Sequence, residues 1–521
     1  MIRENGSVFR KITARLPELV AFCCAALMLC VTPLYFDNAF FNINRCKVSL
    51  IRNVVPWLGA FSAITLFLNR ILFKEKRMEG EHAADMCMTV FALACIVSCA
   101  MQGFSESVLE GTRGRNLGLW LMLCLCLSYA VIALGHLDGK LLTGAMLVCA
   151  ALCAGLGILN GAGIDPLDFY RGIKAGQEIM FFSTIGNFDF FGTYLVLMFG
   201  VATGMLIFAR KALFRILAAC CSVLLVLGML VSRTDSAVAG LLLVCLTISV
   251  LSCGDFARMA AAAALWAVCF ALMPAARAVL SVSPYHPELD GLLHLLLETH
   301  AAHILTVVFL GLAALFTVLG RRRVQAPSRK LMARIVLIAV LIAFVLALCV
   351  VIWFSAFDTQ TDLGGLSSFL RFDDMWGSGR GFVYTRSLRA FRDYTLAEKL
   401  FGKGLGQTLD ILTPYCDNQQ AIDLAGGVFT DAHCQPLQFL LTCGLVGAAA
   451  FLAFYAAMLH SLRRMMADDA LLCGFFTALV SYSVVMALNV AQPILLSTYF
   501  PLCGLALSRI RRLKKGARHE S

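Results

Sequence analysis

The sequence predicts an all-α polytopic membrane protein of about fourteen transmembrane helices, with one long extracytoplasmic loop containing short helices. Three observations predict it. First, 60% of the 521 residues are hydrophobic and only 14% are charged, against about 25% charged in a soluble globular chain. Folding this mixture in water would leave too much apolar surface exposed, whereas a bilayer matches that surface with lipid. Second, a helix needs about 20 apolar residues to cross a roughly 30 Å hydrocarbon core. Runs of that kind lie near 17–36, 50–73, 86–104, 118–135, 141–160, 188–209, 216–232, 236–253, 259–279, 301–319, 335–356, 434–459, 471–490 and 493–508. Third, Lys and Arg alternate between the segments that join these runs.

The alternation sets the orientation, because basic residues are retained on the cytoplasmic side. With a cytoplasmic N-terminus, the inner segments hold Arg3, Arg10, Lys11 and Arg15; Arg70, Lys74, Lys76 and Arg77; Lys140; Arg210, Lys211 and Arg215; Arg258; Arg321 to Arg323, Arg329, Lys330 and Arg334; Arg463 and Arg464; and the tail from Arg509 to Arg518. Most of the basic residues thus fall inside, which implies an even number of helices and both termini in the cytoplasm. The expected location is the cytoplasmic (inner) membrane. The division reads as 1–356 with about eleven helices, 357–433 as the extracytoplasmic loop, 434–508 with about three helices, and 509–521 as a basic tail.

The net charge of +11 follows this topology and does not indicate nucleic acid. The first apolar run has full spanning length and no small-residue cleavage site, so it reads as a helix and not a leader. The 22 cysteines lie mostly inside apolar runs, where Cys acts as a small hydrophobe. Without paired CxxC spacing they give no zinc site and no disulfide framework. A bridge between Cys416 and Cys434, in and beside the long loop, is left open.

Candidate chemistry begins with charges at the membrane boundary. Arg233, in Ser232-Arg-Thr-Asp235, is either a snorkelling arginine paired with Asp235 or an anion clamp at a wet cavity. In the long loop, Arg386, Arg389 and Arg392 fall on one face of a predicted helix over 382–399 and read as a solvated amphipathic surface. Arg380 differs, because the Gly377-Ser-Gly379 turn before it brings backbone close to a phosphate that guanidinium binds bidentately. The Gly402-Lys-Gly404-Leu-Gly406 run reads as a flexible loop, since no strand precedes it. Asp373-Asp374 reads as solvated loop and not as a metal site. His433 opens the run 434–459 with Asp431 two residues before it, a carboxylate able to orient an imidazole base.

Taken in order, these pieces resemble the bacterial O-antigen ligase and O-antigen polymerase (Wzy-type) superfamily over about residues 111–456. Arg113-Gly-Arg115 looks like the family's arginine segment before a spanning helix. Gly186-Asn187-Phe-Asp189 looks like its Gly-Asn-Pro-Asn motif, with Phe188 and Asp189 as departures. Ser232-Arg233 and Ser378-Gly-Arg380 match its Ser-Arg motif and loop arginine. His433 followed by Leu437, Gly444, Leu445 and Gly447 looks like its His motif, with Cys434 where the family usually has Asn.

The resemblance implies a glycosyltransferase whose donor is a polyprenyl-diphosphate-linked glycan. It transfers or polymerises that glycan onto the hydroxyl of a glycan or lipid acceptor on the extracytoplasmic side, without metal or cofactor. Arg233 and Arg380 would hold the diphosphate leaving group and His433 the acceptor hydroxyl. Arg113, Arg115, Asn187, Arg371 and Asp431 form a second tier of substrate-binding candidates. Membrane lipids are expected partners and nucleic acid is not. The competing reading is a transporter or flippase of lipid-linked sugars, against which stand the lack of an internal repeat with broken helices and the gathering of polar groups at one face. The expectation to test in space is that Arg233, Arg380 and His433 share one site.

Overall fold

The computed structural model describes the chain except residues 1, 38–39, 74–81, 113, 286–292, 295, 297–299, 417–429, 468, 490–491 and 521. Arg113, Lys74, Lys76, Arg77 and much of 286–299 therefore lie outside the described residues.

The molecule is an all-α membrane bundle, and the described strands are the two-residue pair Phe181–Phe182 and Gly186–Asn187. Among the described residues, thirteen helices are long and apolar enough to span. Each coincides with one of the predicted runs, from Thr13–Leu34 to Pro493–Ala517. The remaining run is the helix Leu119–Leu134, whose 16 residues rise only about 24 Å at 1.5 Å each. It nevertheless leads from Arg115, paired with Asp431 at the loop end, to Asp138, paired with Arg509 at the tail end, and with the other thirteen it agrees with a count of about fourteen.

Packing ranks these helices in a way hydropathy does not. Pro493–Ala517 and Phe188–Phe208 are the central elements, buried almost throughout. Arg329–Ile352 has no buried residue and Ala301–Arg321 has one, Ala302. These two helices stand at the periphery, with their Leu, Ile, Val and Phe facing where lipid would be. Phe188–Phe208 meets Ala470–Leu488 at Gly200 and Gly204, where a Cβ on Gly204 would lie 2.2 Å from the Gly474 nitrogen. Small residues four apart allow this close approach, the usual device where lipid and protein are equally apolar.

One end of the bundle gathers the basic tail. Arg509 pairs with Asp138 and with Asp469 (2.7 Å), Arg511 with Asp85, and Arg512 with Glu18 (2.7 Å). Four segments that the charge pattern assigned to one side are thereby tied together at one end.

The opposite end carries the long loop. Its described part folds as short helices, among them Ser367–Leu370, Trp376–Arg392, Leu396–Phe401 and Thr408–Leu412. The expected helix over 382–399 is two helices. The first starts earlier and ends at Arg392, and the second is set off by a capping box between Thr395 and Glu398. The expectation of a wholly solvated arginine face also fails at Arg386. Its guanidinium takes Asp374 in a fork (2.5 and 3.0 Å) and lies 3.9 Å over the Phe382 ring. Arg389 and Arg392 are exposed as expected. Cys416 and Cys434 are both free thiols.

The glycine run corrects the flexible-loop reading. Gly402, Gly404 and Gly406 all have φ between 75° and 87°, and the run packs against a break in the Gln435–Met465 helix at Gly444 (φ 67°, ψ −170°). The break frees carbonyls that a membrane helix must satisfy internally. Lys403 and Gly404 donate their backbone N–H groups to Leu441 (3.1 Å) and Thr442 (3.0 Å). Tyr394 Oη adds a bond to Leu441 (3.1 Å). The loop is therefore a dock that replaces the lost helical bonds.

Candidate functional site

His433 sits at the last turn of backbone before the Gln435–Met465 helix. Its φ is 48°, in the left-handed region that non-glycine residues seldom adopt. Its side chain is 32% exposed and its Nε2 lies 3.4 Å from Asp431 Oδ1. Asp431 is nearly buried, and the His433 backbone N–H also donates to its Oδ1 (3.1 Å). The second carboxylate oxygen of Asp431 pairs with Arg115 at 2.6 Å, and Arg115 Nε donates to Thr430 Oγ1 (2.8 Å). Arg115, Asp431 and His433 thus form a relay of contacts across residues more than 300 positions apart in the sequence.

Burial holds the imidazole of His433 below its usual pKa, against the pull of Asp431, with the guanidiniums of Arg380 and Arg115 adding to the depression. At neutral pH it is an unprotonated imidazole, able to accept a proton.

Arg380 is half-buried on the Trp376–Arg392 helix. Its Nε donates to the carbonyl of Leu488 (2.8 Å) and its Nη1 to that of Gly377 (2.6 Å). These bonds fix the guanidinium plane. One turn further along the same face, Tyr384 Oη reaches the carbonyls of His433 (3.2 Å) and Ala487 (3.1 Å). Asp189, on the first turn of Phe188–Phe208, has Arg380, Asp431 and Asp235 as its charged neighbours.

Arg233 lies in the turn between Ala212–Val231 and Asp235–Ser252, also with a left-handed backbone (φ 60°). Its Nη2 donates to the carbonyl of Ile179 (2.9 Å), just before the short hairpin. Asn489 links its neighbourhood to the rest, donating to Thr193 Oγ1 and Ser236 Oγ at 2.9 Å each. Leu488, whose carbonyl holds Arg380, is the residue beside it. The three predicted catalytic residues therefore belong to one end of the bundle and to one connected set of elements. Two of the three carry left-handed backbone, and positions of that kind cost about 1–3 kcal/mol and concentrate at functional sites.

The second tier divides. Arg115 and Asp431 join His433 directly. Asn187 is the N-cap of Phe188–Phe208, its side chain accepting from the Asp189 N–H (2.9 Å), so it orients the turn that carries Asp189. Arg371 donates to the carbonyls of Phe354 (3.2 Å), Asp358 (3.4 Å) and Thr361 (2.8 Å) and ties the loop to the end of the Arg329–Phe357 helix. Sequence reasoning did not single out Tyr384 or Asn489. Tyr384 carried a signal in its spacing of four from Arg380; Asn489, a lone amide at the end of an apolar run, carried little. Among the described residues, no group of three or more His, Cys, Asp or Glu is arranged to hold a metal ion. Asp374 is occupied by Arg386 and Asp373 accepts from the Met375 N–H (2.9 Å).

No curated protein matches the chain. Residues 290–452 match the family described as O-antigen ligase. The matched stretch contains Arg371, Arg380, Asp431 and His433; Arg115, Asn187 and Arg233 precede it. The match covers less than a third of the chain; it agrees with the ordered motifs and supports the resemblance to the O-antigen ligase and polymerase family.

Proposed function

We propose that this protein is a membrane glycosyltransferase that transfers or polymerises a polyprenyl-diphosphate-linked glycan onto an acceptor hydroxyl on the extracytoplasmic side of the cytoplasmic membrane. The observation that carries the reading is the Arg115–Asp431–His433 relay with Arg380 as its charged neighbour. A neutral imidazole stands beside a carboxylate that orients it, within electrostatic reach of a fixed guanidinium.

In this reading His433 accepts the proton of the acceptor hydroxyl as that oxygen attacks the anomeric carbon. The bond from that carbon to the diphosphate oxygen breaks, and the lipid diphosphate departs as an anion. Arg380 and Arg233 stabilise the charge that develops on it, the part a divalent cation plays elsewhere. Asp431 holds the ring and favours the imidazolium once it forms. Arg115 holds Asp431. The ligase and polymerase forms of the reaction differ in the acceptor alone.

The test uses protein purified in detergent, donor lipid extracted from the host's membranes, and acceptor from the same source. Transfer is expected without added metal and with a chelator present. Consumption of donor that stops on chelation, or movement of donor across vesicles without any new glycosidic bond, would overturn the proposal.

The pH profile gives a second check. Because the His433 pKa is lowered, the base stays unprotonated below pH 6.5 and transfer is lost only as the pH falls through that lowered value. Arg115→Gln removes one charge that disfavours the imidazolium and frees Asp431 to attract it. Both effects raise the pKa, so the acid limb of kcat is expected to move to higher pH. An unmoved limb would remove His433 from the base role.

A further inference from the structure

A groove of about 1160 Å³ opens at the loop end of the bundle, lined among others by Asn44, Ser105, Glu106, Thr112, Asn116 and Asp410. It contains neither His433 nor the two arginines proposed to hold diphosphate. Its volume exceeds the roughly 300–1,000 Å³ typical of a small-molecule pocket, and its walls are mostly hydroxyls, amides and carboxylates. Such walls suit a ligand that presents hydroxyls, several units long.

The groove leads to the relay. Asn116 lines it, with a left-handed backbone (φ 56°), while the neighbouring Arg115 turns to Asp431 and so to His433. Thr112 Oγ1 donates to the carbonyl of Gly406 (2.5 Å), and both residues line the groove, which joins it to the docked glycine loop. Asn44 donates from Nδ2 to the Gly114 carbonyl (3.1 Å), while its Oδ1 is buried without a hydrogen-bond partner among the described residues. A buried amide oxygen in that state is expensive and accepts readily from a ligand hydroxyl. The charge balance selects among saccharides. Among the described lining residues, Glu110 is engaged by Arg52, which leaves Glu106 and Asp410 against Arg45. Acidic sugars and phosphates are therefore disfavoured.

We infer that this groove binds the sugar portion of the acceptor, several saccharide units without acidic groups, and leads its terminal hydroxyl to His433. The inference rests on the glycosyltransferase reading and deepens it. It is distinct from the donor site, because neither Arg233 nor Arg380 lines the groove.

The experiment uses the full chain in nanodiscs with donor and acceptor extracted from the host's membranes. Ser105→Trp, at an exposed wall position, and Asn44→Trp, on another segment of the lining, each fill the groove, and thermal melting confirms that at least one folds as wild type. The folded variant is expected to raise the acceptor KM at least tenfold with donor KM and kcat within about twofold. An unchanged acceptor KM, or a rise in donor KM instead, overturns the assignment. Glu106→Gln with Asp410→Asn is expected to raise acceptor KM; a fall would show that the groove takes acidic sugars and that the charge argument is wrong. Saturation-transfer NMR with the delipidated acceptor oligosaccharide reads the groove independently of turnover. If that signal is present in wild type and lost in the filled variant while no transfer occurs, the transferase reading fails and the saccharide site stands. If transfer occurs and the signal persists in the filled variant, the groove assignment alone fails.

Discussion

His433→Ala is expected to lower kcat by about 10²–10⁴-fold, the range of a positioned general base, with donor binding little changed. Arg380→Lys is the more demanding companion. It keeps the charge but loses the planar fork, and with it the bonds to Leu488 and Gly377 that fix the group. A loss of about 10²–10³-fold is expected, as for removal of one donor aimed at a developing anion. The two losses separate by pH: the His433 variant should lose the acid limb, whereas the Arg380 variant should retain it, displaced to higher pH if lysine sits farther from the imidazole. In cells, both variants should insert normally and accumulate lipid-linked precursor on the extracytoplasmic face. Wild-type rates in either variant would detach that residue from the chemistry, and precursor retained on the cytoplasmic face would favour the flippase reading.

Gly444→Ala is expected to be the most damaging single methyl in the loop dock. An ideal Cβ there would lie 2.4 Å from the backbone of Leu400 and Phe401, so it meets main chain and not a side chain that can swing away. The extended positive-φ backbone of Gly444, essentially reserved to glycine, adds about 1–3 kcal/mol for an L-residue, and overpacking typically adds about 1–3 kcal/mol. The displaced loop would also lose its bonds to Leu441 and Thr442, leaving broken-helix carbonyls unsatisfied. Thermal unfolding in detergent should show a clear fall in Tm, with transfer lost because the same loop carries the helix of Arg380. Gly155→Ala is the control, since a Cβ there meets nothing within 4 Å. If both variants melt like wild type, the docking account of the glycine run is wrong.

The break at Gly444 bears on the flippase alternative too. A broken helix was among the features whose lack counted against transport, and this chain has one. Its freed carbonyls at Leu441 and Thr442 are satisfied by the glycine loop, which gives the break a structural use.

The sequence by itself determined the class of fold and the spans. Thirteen helices coincide with predicted runs because twenty apolar residues have few other ways to exist, and the bilayer imposes the length. It also carried the resemblance to the O-antigen ligase and polymerase family, through short motifs taken in order, and the match over residues 290–452 agrees with it. The pairing of the tail arginines with Glu18, Asp85, Asp138 and Asp469 was prefigured by charge placement, since residues kept on one side of a membrane are available to each other.

Tertiary structure decided which helices are central. The most apolar span, Arg329–Phe357, has no buried residue, and the least apolar, Pro493–Ala517, is buried from Pro493 to Arg511. Hydropathy has no power here, because lipid is as apolar as a protein core, and an inner helix has partners for its polar groups. Tertiary structure also decided what each arginine touches. Arg371, a substrate-binding candidate by resemblance, closes a helix end, and Arg386, read as part of a solvated face, grips Asp374. The Arg115–Asp431–His433 relay needed a long-range contact across more than 300 residues, which no local pattern encodes. The dock of Gly402–Gly406 on Gly444 is legible only once a helix is seen to break, because the reason for those glycines lies on another segment of the chain.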